Sequence, residues 1–201
     1  MITLGLHVKY AIEAFNRNEF FLALEQTSIA LDMTAKKTYN SKVSNATSYK
    51  KLISDYLWLI ELMSFPVLNL DKSTFSGFKF KDVNGKEYNK PAFQDIVYYI
   101  IRCNLIHGKN NIASKQLRFQ QEDSIHCTKD MLILPIRMLW GLLGVIAFCT
   151  SNIDECTTDG YYLSINECIY PINISWGIQD LIQKQFSDKI SSFTKEIIDV
   201  K

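Results

Sequence analysis

Apolar residues recur at intervals of three and four along most of the sequence, and this periodicity constrains the fold more than any other feature. Such a repeat places apolar side chains along one face of a helix. It predicts helices over residues 4–15, 19–39, 47–64, 91–107 and 122–148. We therefore expect an all-α fold that occupies residues 1–150, in which the four longer helices form an up-down bundle.

Breaking and capping residues mark the ends of these helices. Asn18 is a candidate N-cap for the second helix, because an Asn side chain can accept a hydrogen bond from the unpaired N–H groups of a first turn. Pro66 stops the third helix. Gly108 is placed to end the fourth in a left-handed conformation, which glycine adopts at little cost. These residues divide the periodic stretches into separate helices.

Two short segments change to the period of a β-strand. The Asn84-Gly85 dipeptide lies between aromatic residues and predicts a β-hairpin inserted near residues 75–90, since Asn-Gly is a strong turn signal. A second pair of strands is predicted within 161–172, followed by a helix over 176–190. We assign residues 151–201 to this short C-terminal β/α appendage, packed on the same domain.

The composition is that of an ordinary globular protein, with 47% hydrophobic and 21% charged residues. The five cysteines are an odd number and form no Cys-x-x-Cys pair, so we expect a cytoplasmic location, no metal and no cofactor. The apolar stretch 131–149 contains Pro135 and Arg137, and its uninterrupted part is shorter than the about 20 residues of a membrane span. It predicts a buried core helix and no membrane contact, with Arg137 paired to a carboxylate or carbonyl.

Positive charge is concentrated in the middle of the chain. Residues 34–118 carry 14 Lys and Arg against 6 Asp and Glu, whereas the whole protein has a net charge of only +1. A basic surface between acidic flanks is consistent with contacts to a phosphate backbone. Lysines that are simply solvated on helix and hairpin surfaces explain the same charges equally well, so charge alone does not choose between the two.

An arginine and a histidine stand five positions apart at the end of the fourth predicted helix. On an ideal helix this offset separates Arg102 and His107 by about 140°, but the long Arg side chain can reach toward a His in the last turn. Histidine transfers protons near neutral pH, and arginine offers a planar fork for phosphate oxygens. We predict His107 as an acid–base group and Arg102 as a phosphate clamp, both near solvent, for RNA cleavage without a metal ion.

The surrounding segment, Ile-Arg-Cys-Asn-Leu-Ile-His-Gly, resembles the R-x4-6-H motif of the HEPN superfamily (higher eukaryotes and prokaryotes nucleotide-binding domain). The resemblance covers residues 19–150. It implies an endoribonuclease in which a ribose 2′-hydroxyl attacks the adjacent phosphorus, and a homodimer that joins two motifs in one composite site. It also implies a toxin or anti-phage effector, whose partners could include an antitoxin or another protein regulator besides RNA.

The motif departs from the family pattern at two positions. The residue after the Arg is commonly Asn in the family, and here it is Cys103, with Asn104 one place later. Lys109 stands where toxins modified by a nucleotidyltransferase antitoxin have Tyr, so such modification is not expected. Asn104 and Lys109 are candidates for substrate contacts. Tyr99 and Asp95, three and seven positions before the Arg, are candidates to orient its guanidinium.

Other interpretations of the motif stay open. Positive side chains near a helix C-terminus also simply favour the negative end of the helix dipole. The chain could be a non-catalytic HEPN-like module that binds nucleotide, RNA or protein, or a helical scaffold unrelated to HEPN, since a bundle by itself does not define function. RNA cleavage in EDTA that is lost in His107→Ala would separate the first hypothesis from the others.

Overall fold

The computed structural model describes residues 3–39, 46–65, 69–82, 84–106, 117–128 and 131–192. The α-helices in this part of the chain are α1 (Leu4–Asn16), α2 (Phe20–Thr38), α3 (Ala46–Asp55), α4 (Leu57–Ser64), α5 (Phe93–Asp95), α6 (Cys103–Ile106), α7 (Met138–Phe148), α8 (Gln179–Gln185) and α9 (Ser187–Ser192). A π-helical segment, Ile96–Arg102, joins α5 to α6. The strands are β1 (Phe80–Lys81), β2 (Glu87–Tyr88), β3 (Leu117–Gln120), β4 (His126–Thr128), β5 (Met131–Pro135), β6 (Tyr162–Ile165) and β7 (Cys168–Pro171).

The first two predicted helices are confirmed as α1 and α2. Thr3 caps α1, where its hydroxyl oxygen accepts a hydrogen bond from the Leu6 N–H at 3.3 Å. The prediction of Asn18 as the N-cap of α2 is wrong. Asn18 takes a left-handed conformation, with φ of 61°, in the turn between the helices, and Glu19 occupies the cap position without a side-chain hydrogen bond. Asn tolerates this conformation better than most residues, so the turn uses it for chain reversal.

The predicted all-α bundle is wrong, because the structure is a mixed α/β fold. Residues 122–148 were expected to form one helix, but among the described residues of this range only those of α7 are helical. In the small second sheet, β5 pairs in parallel with β3 and antiparallel with β4. In a short run of apolar residues, periodicity cannot distinguish a buried strand from a buried helix. The strand state of β5 depends on backbone hydrogen bonds to β3, a segment distant in sequence.

The two predicted hairpins are confirmed. β1 and β2 pair antiparallel with Phe80 opposite Tyr88, and Gly85 in the connecting turn has φ of 83°. β6 and β7 pair antiparallel, and Asn166 in their turn has φ of 53°. Two predicted long helices are each divided in two, at Tyr56 between α3 and α4 and at Phe186 between α8 and α9.

Helix α7 forms the centre of the core, and every one of its side chains except Trp140 is buried. A helix that is apolar on all sides needs neighbours on all sides. Helix α4 crosses it closely at Gly141, where an added Cβ would lie 3.1 Å from the Cα of Ile60. Buried Asn152 donates hydrogen bonds to Thr34 Oγ1 at 3.0 Å and to the Ile146 carbonyl at 2.8 Å. This side chain ties the segment after α7 to α2.

Candidate functional site

Arg102 is held in a half-buried pocket at the junction of the π-helical segment and α6. One guanidinium nitrogen, Nη2, lies 3.5 Å from Oδ1 of Asp32 on α2. The guanidinium carbon lies 5.5 Å from the centre of the Tyr98 ring, and Nη1 is 4.0 Å from the sulfur of Cys103. Only 13% of the Arg102 side chain is exposed, so it is more buried than the predicted position near solvent implies. The guanidinium has a defined position between a carboxylate and an aromatic ring.

The local sequence explains why Arg102 and Tyr98 point the same way. In the π-helical segment the buried residues are Ile96, Val97, Ile100 and Ile101, which anchor it on the core. The remaining positions, Tyr98, Tyr99 and Arg102, therefore lie on the side away from these anchors and are partly buried. Tyr98 and Arg102 are four residues apart, a spacing at which helical side chains are neighbours. π-Helical turns within α-helices are rare and frequently occur at functional sites.

The charges around Arg102 keep it protonated. Burial works against the positive charge of Arg102 and lowers its pKa. The Asp32 carboxylate, with smaller contributions from Cys103 and Tyr98, outweighs this effect, so the pKa of Arg102 is raised above its ordinary value. Burial raises the pKa of the Tyr98 hydroxyl to about 12, with Cys103 as a further cause. Burial also raises the pKa of the Tyr49 hydroxyl. At neutral pH the pocket therefore combines a permanent cation with protonated phenols.

Three aromatic rings extend from this pocket toward the first hairpin, and a positively charged side chain lies over each ring. Tyr98 contacts Tyr99, and Tyr99 contacts Tyr88 of β2, both with ring centres 4.9 Å apart. The cations are 5.5, 5.3 and 5.1 Å from the ring centres, and the pairs are Arg102 over Tyr98, Lys50 over Tyr99 and Lys86 over Tyr88. We call these six residues the aromatic–cation row. Phe80 backs it by stacking on Tyr88 at 4.8 Å.

The sequence-predicted residues are placed as follows. Asp95 accepts a hydrogen bond from Lys50 Nζ at 3.1 Å and another from the Ala92 N–H at 3.2 Å. The Tyr99 ring packs within the aromatic–cation row. Asn104 belongs to α6, but the structure does not describe its side chain. His107, Gly108 and Lys109 lie outside the described residues.

The groups found against the Arg102 guanidinium were not predicted from the sequence. The spacing of four residues could have indicated Tyr98. Asp32 is distant in sequence and belongs to the second helix, and no local pattern signals that it meets Arg102. The contribution of the hairpin through Tyr88 and Lys86 was also missed, because only the folded chain brings the hairpin beside the π-helical segment.

In the part of the chain that the structure describes, no group of three or more His, Cys, Asp and Glu side chains is arranged to hold a metal ion. Among the helices within it, none is both long enough and apolar enough to cross a membrane.

Comparisons with known proteins identify relatives along almost the whole chain. A family model described as Rv1289 matches residues 3–201. Uncharacterized protein Rv1289 of Mycobacterium tuberculosis (strain ATCC 25618 / H37Rv) is 24% identical over 186 residues, which is 89% of this chain and 85% of the relative. Uncharacterized protein Mb1320 of Mycobacterium bovis matches with the same identity and coverage. No solved structure matches the chain.

Proposed function

The chain belongs to the Rv1289 family, and we propose that it binds single-stranded RNA along the aromatic–cation row and cleaves it without a metal ion at Arg102 and His107. The observation that carries this proposal is the row itself, in which three contacting tyrosine rings each have a cation within 5.5 Å. The likeness to HEPN ribonucleases rests on the Arg102-x4-His107 motif, with Cys103 in place of the usual Asn.

The chemistry of the row suits an unpaired RNA strand. Every base has a flat face that can stack on an aromatic ring, and the phosphates between bases need cations at similar intervals. Lys50 and Lys86 lie on the same row of rings as Arg102, so a strand stacked there would bring a phosphate toward the guanidinium. The five cysteines are all free thiols, which supports a cytoplasmic location as part of the proposal.

The proposed cleavage uses groups of the RNA and the protein alone. One His107 takes the proton of a ribose 2′-hydroxyl, whose oxygen attacks the adjacent phosphorus while Arg102 binds the non-bridging oxygens. The bond from phosphorus to the 5′-oxygen breaks, and the partner's His107 protonates that oxygen. The products are a 2′,3′-cyclic phosphate and a 5′-hydroxyl. Two proton transfers need two such groups, so the proposal includes a homodimer, which light scattering at micromolar concentration would detect.

The test compares cleavage of a labelled single-stranded RNA by the wild type and by variants, with EDTA present. We expect His107→Ala to slow cleavage by about 10²-fold to 10⁴-fold. His126→Ala is the matched control, because His126 is exposed and contacts Ser124 at 3.1 Å, and it should cut at the wild-type rate. Arg102→Lys keeps the charge but loses the planar fork, so it should restore little activity relative to Arg102→Ala.

The outcomes separate cleavage from binding. Equal cleavage by the wild type and His107→Ala would contradict the catalytic assignment. Binding of RNA by a wild type that cuts none would contradict catalysis and leave an RNA-binding module, the alternative function. A double variant of Lys86 and Tyr88 that still binds and cleaves RNA like the wild type would contradict the proposed path of the RNA strand.

A further inference from the structure

A cavity of about 370 Å³ lies away from the aromatic–cation row, between the helical core and the β6–β7 hairpin. Its floor is apolar and consists of Ile12, Leu62, Met63 and Leu163, all of which are buried. The partly buried ring of Trp140 forms part of the wall. A cavity of this size and shape matches those that hold small organic ligands.

The polar groups of the cavity are unevenly distributed. Among the described residues that line it, Arg137 is the single permanently charged side chain, and the others with polar groups are asparagines, tyrosines, a serine and the indole of Trp140. None of these described lining residues is acidic. The cavity therefore combines an apolar floor, an aromatic wall and one cation.

Arg137 is fixed in position but keeps donors for a ligand. Its Nη1 donates a hydrogen bond to Oδ2 of Asp123 at 2.7 Å, and its Nη2 lies 3.5 Å from the Met63 carbonyl. Its own carbonyl accepts a hydrogen bond from the Ser64 hydroxyl at 3.1 Å. The side chains of Arg137 and Asp123 are 40% and 56% exposed, and an ion pair this exposed contributes little free energy. A bound anion can replace Asp123 as its partner.

We propose that this cavity binds a small amphipathic anion, with a flat apolar body against Trp140 and the cavity floor and a single acidic group at Arg137. Arginine recognises a carboxylate, sulfonate or phosphate through two parallel hydrogen bonds. The apolar floor excludes a ligand that is charged at both ends, because a second charge would be buried without a partner. This site shares no residue with the proposed RNA site and stands independently of it.

The experiment measures binding of two fluorescent probes that differ in charge. The anionic probe is 8-anilinonaphthalene-1-sulfonate, and the uncharged probe is N-phenyl-1-naphthylamine, which has the same ring system without the sulfonate. The increase in each probe's own fluorescence on direct excitation reports binding, because the two tryptophans other than Trp140 would also transfer energy to a probe. We expect Arg137→Gln to raise the Kd of the sulfonate about tenfold and to change that of the uncharged probe less than twofold.

Two further variants distinguish the cavity from other apolar surfaces. Asp123→Asn removes the competing carboxylate at an exposed position, so it should lower the Kd of the sulfonate. Ser164→Trp places a large side chain at an exposed lining position and should block both probes. Sulfonate binding that is unchanged in Arg137→Gln, in Asp123→Asn or in Ser164→Trp would overturn the proposal. Thermal melts of each variant establish that it is folded.

Discussion

Nη2 of Arg102 lies 3.5 Å from Oδ1 of Asp32, although the two residues belong to helices far apart in the sequence. The two side chains are 13% and 14% exposed, so the ion pair is largely shielded from water. A shielded pair orients its members more strongly than a surface pair. The position of the proposed phosphate clamp therefore depends on α2 as well as on its own helix.

The Asp32–Arg102 pair is predicted to contribute to stability. Asp32→Asn leaves a mostly buried guanidinium without its carboxylate and should lower the free energy of unfolding by about 1–3 kcal/mol. Urea denaturation measures this change. Glu19→Gln is the control, because Glu19 pairs with Arg17 on the exposed surface, and its stability should be close to that of the wild type. Equal stability of Asp32→Asn and the wild type would contradict the role of the pair.

The crossing of α4 and α7 is predicted to tolerate a methyl group at one glycine and not at the other. At Gly141 an added Cβ would lie 3.1 Å from the Cα and 3.2 Å from the carbonyl oxygen of Ile60, and backbone cannot move aside cheaply. Gly141→Ala should therefore destabilise the protein by about 1–3 kcal/mol. At Gly144 the nearest atoms belong to the flexible Met63 side chain, so Gly144→Ala should cost less. The two melting temperatures give the comparison, and a lower value for Gly144→Ala would contradict it.

The aromatic–cation row is predicted to bind single-stranded RNA through stacking and charge. Tyr88→Leu removes a stacking surface and should weaken RNA binding by about fivefold to a hundredfold, as loss of one stacked base contact does. Lys86→Gln should reduce the slope of log K against log salt by about 0.7, since one fewer phosphate is neutralised. Tyr10→Leu changes an exposed tyrosine outside the row and serves as the control in fluorescence anisotropy titrations. A Tyr88→Leu variant that binds as tightly as the control would contradict stacking there.

Cys127 is predicted to react slowly with alkylating reagents, and its reaction rate should depend steeply on pH. Burial raises the pKa of its thiol to about 11, and the reactive species is the thiolate. Because the group loses its proton only near that value, the rate should rise about tenfold per pH unit between pH 8 and pH 10. Iodoacetamide labelling followed by mass spectrometry measures it, with the exposed Cys156 as the internal reference. A rate at Cys127 that levels off between pH 9 and pH 10 would show that the thiol titrates normally.

The sequence by itself determined the elements whose signals are local. The helices α1 and α2 follow from an apolar repeat within each segment, and the two hairpins follow from the turn residues Asn84-Gly85 and Asn166. Each of these depends on backbone preferences and on neighbours within a few positions, so a short window contains the information. The Arg102-x4-His107 motif is also local, but the sequence does not show which side chains from other segments contact it.

The tertiary structure alone decided the remaining features. The apolar segment of β5 suits a buried strand and a buried helix equally well, and its parallel pairing with β3 makes it a strand. The contact of Asp32 with Arg102 likewise arises only when α2 packs beside the π-helical segment. In both cases the stabilising free energy comes from groups that are distant in sequence. A local pattern does not show which distant segment will supply the hydrogen bonds or the opposite charge.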